Sequence, residues 1–527
     1  MGIYLNPDNE GFWESVHSEI YVDKTGLITY TNKYLSTRQK YMCVSRPRRF
    51  GKSMALEMLA AYYSRGCDSR ELFSGLDIAK DASYETNLNQ YDVIYLNMQR
   101  FLIRVKSEDM TDYLEQLVID ELRETYGEYF PETETILAAA LERIYARTKK
   151  KFIFLVDEWD CVMRERQESE ELQKQYLDFL RNLLKDQPYV ALAYMTGILP
   201  VKKYGQHSAL NMFWEYSMTD QGFLKEFTGF TENEVKQLCK QFDMDFAEAG
   251  NWYDGYQLEN FHHIYNPKSV VEAMQRRKFS NYWTTTEVYD ALKVYMDMDF
   301  DGLRSDIVRM LGGGRVKVNT YTFQNDMRNF QVKDDVLTLL IHLGYLAFDS
   351  ESEETFIPNK EITREFENAM SVGGWAEIMR VLKASERLLD DTLLCDETHV
   401  AEGLDLAHTE VASILTYNDE NSLACAISIA YYSARKDYKM IRELPTGRGF
   451  ADIVFLPLPH RNKPALVVEL KYDKSAHTAI QQIKDRKYTQ ALEGYMGEIL
   501  LIGVNYDKDD KDKPHSCVIE KMTYMAQ

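Results

Sequence analysis

The stretch Ser45-Arg46-Pro47-Arg48-Arg49-Phe50-Gly51-Lys52-Ser53 decides how the first half of the chain is read. Ahead of it, Tyr41-Met42-Cys43-Val44 is a short apolar run that predicts a buried strand. Behind it, Met54-Ala55-Leu56-Glu57-Met58-Leu59-Ala60 is rich in strong helix formers. Gly-Lys-Ser at a strand-to-helix junction is the setting of a phosphate-binding loop, where backbone N–H groups and the helix N-terminus cradle phosphate. In that reading Arg46, Pro47, Arg48, Arg49, Phe50, Gly51, Lys52 and Ser53 form the nucleotide-binding segment. Lys52 reaches the β/γ oxygens of ATP, and the Ser53 hydroxyl holds Mg²⁺. Arg46 stands where G-x-x-x-x-G-K-[ST] has its first glycine, so the loop opens on a different backbone path. The plainer alternative is a basic, solvated turn.

A second stretch favours the nucleotide. Lys151-Phe152-Ile153-Phe154-Leu155-Val156-Asp157-Glu158 is an apolar strand ending in two carboxylates, about a hundred residues downstream. Asp157 is expected to hold Mg²⁺ through water or through Ser53, and Glu158 to polarise the water that attacks the γ-phosphate. Tyr91-Asp92-Val93-Ile94-Tyr95-Leu96-Asn97 is a further strand candidate. Tyr189-Val190-Ala191-Leu192-Ala193-Tyr194-Met195-Thr196-Gly197 is another, ending in a hydroxyl. The order predicts an additional-strand P-loop ATPase: the fourth strand inserts between the loop strand and the acidic strand, and Thr196 senses the γ-phosphate. A fifth short strand is expected at Trp214-Glu215-Tyr216-Ser217-Met218, and Lys202 and Lys203 are possible phosphate contacts.

Several motifs together resemble the bacterial AAA-ATPase-like family that carries a PD-(D/E)XK nuclease domain at its C-terminus. They are Tyr21-Val22-Asp23-Lys24-Thr25, the Arg-Pro-Arg-Arg-Phe-Gly-Lys-Ser loop, Asp157-Glu158-Trp159-Asp160, Thr196-Gly197-Ile198, Gly229-Phe230-Thr231, Trp252-Tyr253-Asp254-Gly255-Tyr256 and Tyr265-Asn266-Pro267. The resemblance covers nearly the whole chain, and within that family Arg46 is the usual occupant of its position. It implies that the segment around Val22 to Thr25 lies near the nucleotide.

The C-terminal part shows four pieces in order. Glu420 opens a helix. Asp452 starts an apolar strand after Gly447-Arg448-Gly449-Phe450-Ala451. Pro464-Ala465-Leu466-Val467-Val468-Glu469-Leu470-Lys471 is the next strand. Ala479-Ile480-Gln481-Gln482-Ile483-Lys484-Asp485 is a helix with a polar face. Alternation puts Glu469 and Lys471 on one side of their strand and Val468 and Leu470 on the other. Asp452 and Glu469 are expected to share a hard cation, Mg²⁺ or Mn²⁺, one of whose waters is the nucleophile. Lys471 orients that water or stabilises developing charge, Glu420 completes the shell indirectly, and Gln482 supports the site. This order matches the PD-(D/E)XK pattern.

At 527 residues the chain is long enough for several domains. The expected division is an ATPase domain with a helical lid over 1–280, a helical connector with a winged-helix-like segment over 281–405, and a nuclease-like α/β domain over 406–527. Helix, hairpin, helix is expected around 335–360, with an acidic hairpin tip that suits packing better than DNA. The net charge of −21 is uneven: residues 411–527 hold 16 Lys/Arg against 15 Asp/Glu, so the first 410 carry −22. Acidic surface weakens non-specific DNA binding without excluding a local groove. Seven scattered cysteines without a C-x-x-C read as reduced thiols, and neither a signal peptide nor a membrane span is expected. The expected protein is thus a cytoplasmic, ATP-dependent, Mg²⁺-dependent nuclease acting on nucleic acid, DNA before RNA, with a homo-oligomer as an open alternative to a monomer. The alternative is a regulatory NTPase whose C-terminal fold binds nucleic acid or protein without cutting.

Overall fold

The computed structural model describes the chain apart from residues 1, 106–108, 202–209, 221, 259–260, 284–289, 299, 301, 325–326, 328–329, 372–373, 413–419, 447–448, 459–460, 462, 486–496, 508–514 and 524–527. The side chains of 223, 257–258, 261–262, 290–291, 412, 420–423, 443–446, 449–452, 485 and 523 are likewise outside the described set. The chain divides into two compact units, residues 1–287 with 317–362, and residues 288–316 with 363–527. The stretch 281–405 is therefore shared between them rather than standing alone.

The first unit is built on a five-stranded sheet of β1 (Tyr41–Ser45), β2 (Asp92–Asn97), β3 (Phe152–Asp157), β4 (Val190–Gly197) and β5 (Trp214–Tyr216). Its order is β2-β3-β4-β1-β5 and every pairing is parallel, so β4 does insert between the loop strand and the acidic strand. Strands covered on both faces need near-continuous apolar sequence, and β1, β3 and β4 are buried throughout. Alternate residues feed two cores: Tyr41 and Cys43 join one, Met42 and Val44 the other. Helix α1 (Lys52–Tyr63) follows β1 across the loop. Later in this unit comes α2 (Glu232–Phe242), whose Glu234 carboxylate accepts a 2.7 Å hydrogen bond from the Thr231 N–H, the reciprocal half of the expected cap.

Further along this unit, α3 (Lys333–Leu343) ends at Gly344 with φ 86°, a left-handed turn that glycine adopts without strain. An antiparallel hairpin of β6 (Ala347–Asp349) and β7 (Glu354–Phe356) follows, pairing Ala347 with Phe356 and Asp349 with Glu354. A helix from Lys360 to Ser371 comes next, which gives the helix–hairpin–helix order read from the sequence.

The second unit holds the helices α4 (Ala376–Leu393), α5 (Glu397–Ala412) and α6 (Glu420–Ala430) and a five-stranded mixed sheet. Its strands are β8 (Tyr438–Thr446), β9 (Gly449–Pro457), β10 (Ala465–Tyr472), β11 (Glu498–Tyr506) and β12 (His515–Thr523), in sequential order. Only β10 and β11 run parallel, because helix α7 (Ala476–Asp485) crosses between them. Ile480 and Ile483 of α7 pack on Val454, Val467, Ile499 and Leu501. On the other face, Tyr431 meets Phe455 at a ring distance of 5.5 Å.

Candidate functional sites: an oxygen-lined loop and a buried Glu–Lys pair

In the first unit the loop leaves β1 and returns into α1 through two left-handed residues, Arg49 (φ 69°) and Gly51 (φ 83°). A methyl group at Gly51 would meet nothing within 4 Å, so the backbone at the mouth of α1 faces open space. A cavity of about 250 Å³ lies there, walled by Arg48, Gly51, Lys52, Ser53 and Glu158. The Lys52 ammonium is buried and donates to the Pro47 carbonyl at 2.8 Å. Burial lowers its pKa, opposed by the nearby carboxylates of Glu158, Asp160 and Asp157.

Asp157 gathers the ends of three strands and the first turn of α1. Its Oδ1 accepts from Thr196 Oγ1 at 2.6 Å and from the Glu158 N–H at 3.0 Å. Its Oδ2 accepts from Ser53 Oγ at 2.8 Å and, at a longer 3.4 Å, from Asn97 Nδ2. Thr196, Ser53 and Asp157, expected from sequence to serve one centre, are thus in direct contact. The set consists of hard oxygen donors at a helix N-terminus, which fits a magnesium–nucleotide complex. Ser53 and Asp157 would hold the ion.

Glu158 sits on a left-handed residue (φ 52°), a conformation that costs a non-glycine residue energy and recurs at functional positions. Burial raises its pKa, with Arg164 and Lys52 pulling the other way. Arg164 pairs with the Glu158 carboxylate and, through Nε at 3.0 Å, with Asp160. Asp160 is fully buried, and its Oδ2 accepts from the N–H groups of Ile198 (3.0 Å) and Leu199 (2.8 Å), just beyond Thr196. Asn97, Asp160 and Arg164 were given no role from the sequence. Asn97, which ends a strand, and Asp160, which closes the Asp157-Glu158-Trp159-Asp160 motif, carry a sequence signal, and Arg164 carries none.

The arginines of the loop separate. Arg46 is wholly buried and donates to Thr228 Oγ1 (3.0 Å), to the Ser45 carbonyl (2.9 Å) and to the Tyr216 carbonyl (2.8 Å). Its guanidinium is directed at the protein interior, with burial lowering its pKa to about 10. Arg49 clamps the carbonyls of Tyr282 (3.0 Å) and Trp283 (2.7 Å), and Phe50 meets Tyr256 edge-on at 5.3 Å. Pro47 lends its carbonyl to Lys52, while Arg48 stays on the cavity wall. Beside the loop lies a larger, mostly apolar cavity of about 420 Å³, lined among others by Phe12, Tyr21, Val22, Lys24, Met54 and Phe230. Lys24 pairs with Glu234 of α2 at 2.7 Å and donates to the Glu226 carbonyl at 2.8 Å.

In the second unit Glu469 is 1% exposed, on the face of β10 covered by α7. Lys471 Nζ donates to Glu469 Oε1 at 2.9 Å and to the Leu470 carbonyl at 3.0 Å, and Gln482 Nε2 donates to the same Oε1. Val468 and Leu470 are buried on the opposite side, as alternation requires. Glu469 lies opposite Gly503 on β11. A Cβ there would come within 2.3 Å of the Ala476 carbonyl, so glycine is what lets α7 approach and bring Gln482 to Glu469. The strands β9 and β10 pair Ile453 with Val468, and Asp452 and Glu469 are each the next residue beyond that pair. The side chains of Asp452 and Glu420 lie outside the described residues, as do Lys202 and Lys203. Among the described residues no group of three or more His, Cys, Asp or Glu is arranged to hold a metal. Glu469 is a hard oxygen donor that fits a magnesium-type ion in shape and chemistry, and would contribute one ligand.

Residues 15–206 match the family described as "Predicted AAA-ATPase", and residues 418–515 match the PD-(D/E)XK nuclease superfamily. Over 519 residues the chain is 24% identical to the "uncharacterized protein in vnfD 5′ region" of Azotobacter chroococcum mcd 1, covering 93% of each. Among solved structures, a Walker-type ATPase of Pyrococcus abyssi is similar at 12% identity and a TM-score of 0.34, over 65% of this chain and 94% of that one. The ORC2 protein of Aeropyrum pernix is similar at 11% identity and a TM-score of 0.31, over 70% of this chain and 98% of that one. No helix among the described residues is long and apolar enough to cross a membrane.

Proposed function

We propose that this chain, an AAA-ATPase-family segment followed by a PD-(D/E)XK nuclease-superfamily segment, hydrolyses ATP in its first unit and uses that cycle to control metal-dependent cleavage of DNA in its second. The observation that carries the first half is Asp157, bound through one oxygen by Ser53 and through the other by Thr196. Lys52 exchanges the Pro47 carbonyl for the β/γ-phosphate oxygens, gaining a charge–charge contact in a site already largely dry. Magnesium, which Ser53 and Asp157 would hold, would supply charge neutralisation at the phosphates. Thr196 turns its hydroxyl toward the γ-phosphate, and Glu158, freed from Arg164, takes the proton of the attacking water. The apolar cavity walled by Tyr21, Val22 and Phe230 suits the adenine ring.

For the second half, the support is the buried Glu469–Lys471 pair under Gln482. Asp452 and Glu469 would hold a divalent ion, which would supply an activated water, and Lys471 offsets the negative charge that develops on the phosphate. The deciding experiment incubates purified protein with Mg²⁺ or Mn²⁺, with and without ATP, on DNA and RNA substrates. Cleavage that requires metal and vanishes in Lys471→Ala supports the reading. ATP turnover with no cleavage of any nucleic acid would leave a regulatory ATPase whose second unit binds without cutting.

A further inference from the structure

A third cavity, of about 720 Å³, belongs to neither site. It lies wholly in the first unit, between the end of β5, the turn at 217–220, the segment 317–323 and the β6–β7 hairpin. Its described charged residues are Glu215, Asp220, Asp334, Glu353 and a single cation, Lys317. The Lys317 ammonium is already engaged by the Ser352 carbonyl at 2.5 Å. Asp334 accepts from the Asn319 N–H at 3.0 Å, whereas the carboxylates of Asp220 and Glu353 are exposed.

The wall holds a second kind of polar group. His342, 1% exposed, lines the cavity and stacks on Phe323 at a ring distance of 5.9 Å, and its Nδ1 has no hydrogen-bond partner among the described residues. Burial, reinforced by the nearby Arg46 charge, lowers its pKa to about 3, so the ring is neutral at physiological pH. A buried ring nitrogen without a partner costs free energy unless something else satisfies it. Aromatic surface completes the lining: Phe323 and Phe348 in the wall, and Tyr321, 80% exposed, at the rim.

Carboxylates, a neutral imidazole and one exposed aromatic ring, that of Tyr321, together match one ligand chemistry. A guanidinium is planar, carries five donors and no acceptor, pairs with carboxylates and stacks on rings better than an ammonium does. We propose that this groove is a docking site for an arginine-bearing peptide segment of another polypeptide, with Asp220 and Glu353 receiving the guanidinium and Tyr321 stacking on it. The volume favours a peptide over a free guanidinium compound, because about 720 Å³ accommodates several residues.

The test uses the full-length protein and a labelled six-residue peptide with one arginine among glycines and serines, its lysine twin, and agmatine. The expected result is that the arginine peptide binds at least fivefold more tightly than the lysine twin and than agmatine. Asp220→Asn with Glu353→Gln should weaken it about tenfold; neither carboxylate supports the fold, so the variant should melt as the wild type does. The His342 ring resonances should shift on addition of the peptide, which contact with acidic surface elsewhere would not produce. Equal binding of both peptides, an unaffected double variant, unmoved His342 resonances, or agmatine binding as tightly as the peptide would each overturn the proposal.

Discussion

The two candidate reaction centres use the same groups, a carboxylate and a lysine, in opposite ways. In the first unit the carboxylate and the lysine are apart: Asp157 is held by two hydroxyls, while Lys52 rests on a backbone carbonyl. In the second they are bonded to each other across one strand repeat, Glu469 to Lys471. The first arrangement leaves Lys52 ready to turn to phosphate and, beside it, a set of oxygens that would hold a metal ion. The second presents a carboxylate whose charge is already matched, so a metal must compete with Lys471 and Gln482 for the same oxygen. Ligand entry is therefore expected to be electrostatically downhill at the loop and to require rearrangement at the pair.

The largest effects should separate the centres. Glu158→Gln should reduce ATP turnover by about 10²–10⁴-fold while ATP still raises the melting temperature, since only the proton acceptor is lost. Lys471→Ala should reduce metal-dependent cleavage by a similar factor with ATP turnover unchanged, measured on the same preparation. If Lys471→Ala silenced ATP turnover as well, the two centres would be one functional device and the contrast would fail. Lys52→Ala should lose about 100-fold or more in ATP affinity, read as loss of the ATP-induced melting shift; charge-assisted hydrogen bonds contribute about 1.5–3 kcal/mol each.

Next in size is a stability effect that isolates Arg46 from the lysine six residues on. Arg46→Ala should cost about 3 kcal/mol, because it strands the Tyr216 and Ser45 carbonyls and leaves a cavity, and chemical denaturation would show it without nucleotide. A fall in ATP affinity with unchanged stability would instead return Arg46 to the phosphate site. Gly503→Ala should cost about 1–3 kcal/mol by pushing α7 off the sheet, and cleavage should fall with it as Gln482 leaves Glu469.

The smallest effect concerns pH. Burial raises the pKa of Glu158, so the acid limb of ATP turnover should lie above that of a solvent-exposed glutamate. Activity is present above that folded pKa and lost as pH falls through it. Arg164→Gln removes the first-named opposing charge and should move the limb further up. A limb that stays in place would mean that Glu158 is not the group being titrated.

Contiguous stretches of sequence carried most of this molecule's design. An apolar run, a glycine at a helix mouth and a lysine–serine pair specify the loop locally, because each acts within a few residues of the others. Strand alternation likewise set Glu469 and Lys471 on one side. The insertion of β4 between β3 and β1 was also legible, through the additional-strand order of the strand candidates, whereas the contact of Thr196 with Asp157 was not. Tertiary structure alone decided the rest. Arg46 reads as one more basic loop residue until its partners at Tyr216 and Thr228, 170 and 182 positions away, draw it inward. Arg164 and Asp160 gain meaning only when Ile198 and Leu199 arrive beside them. A side chain's charge is fixed by its covalent structure, whereas what that charge does depends on which distant groups desolvate and pair it.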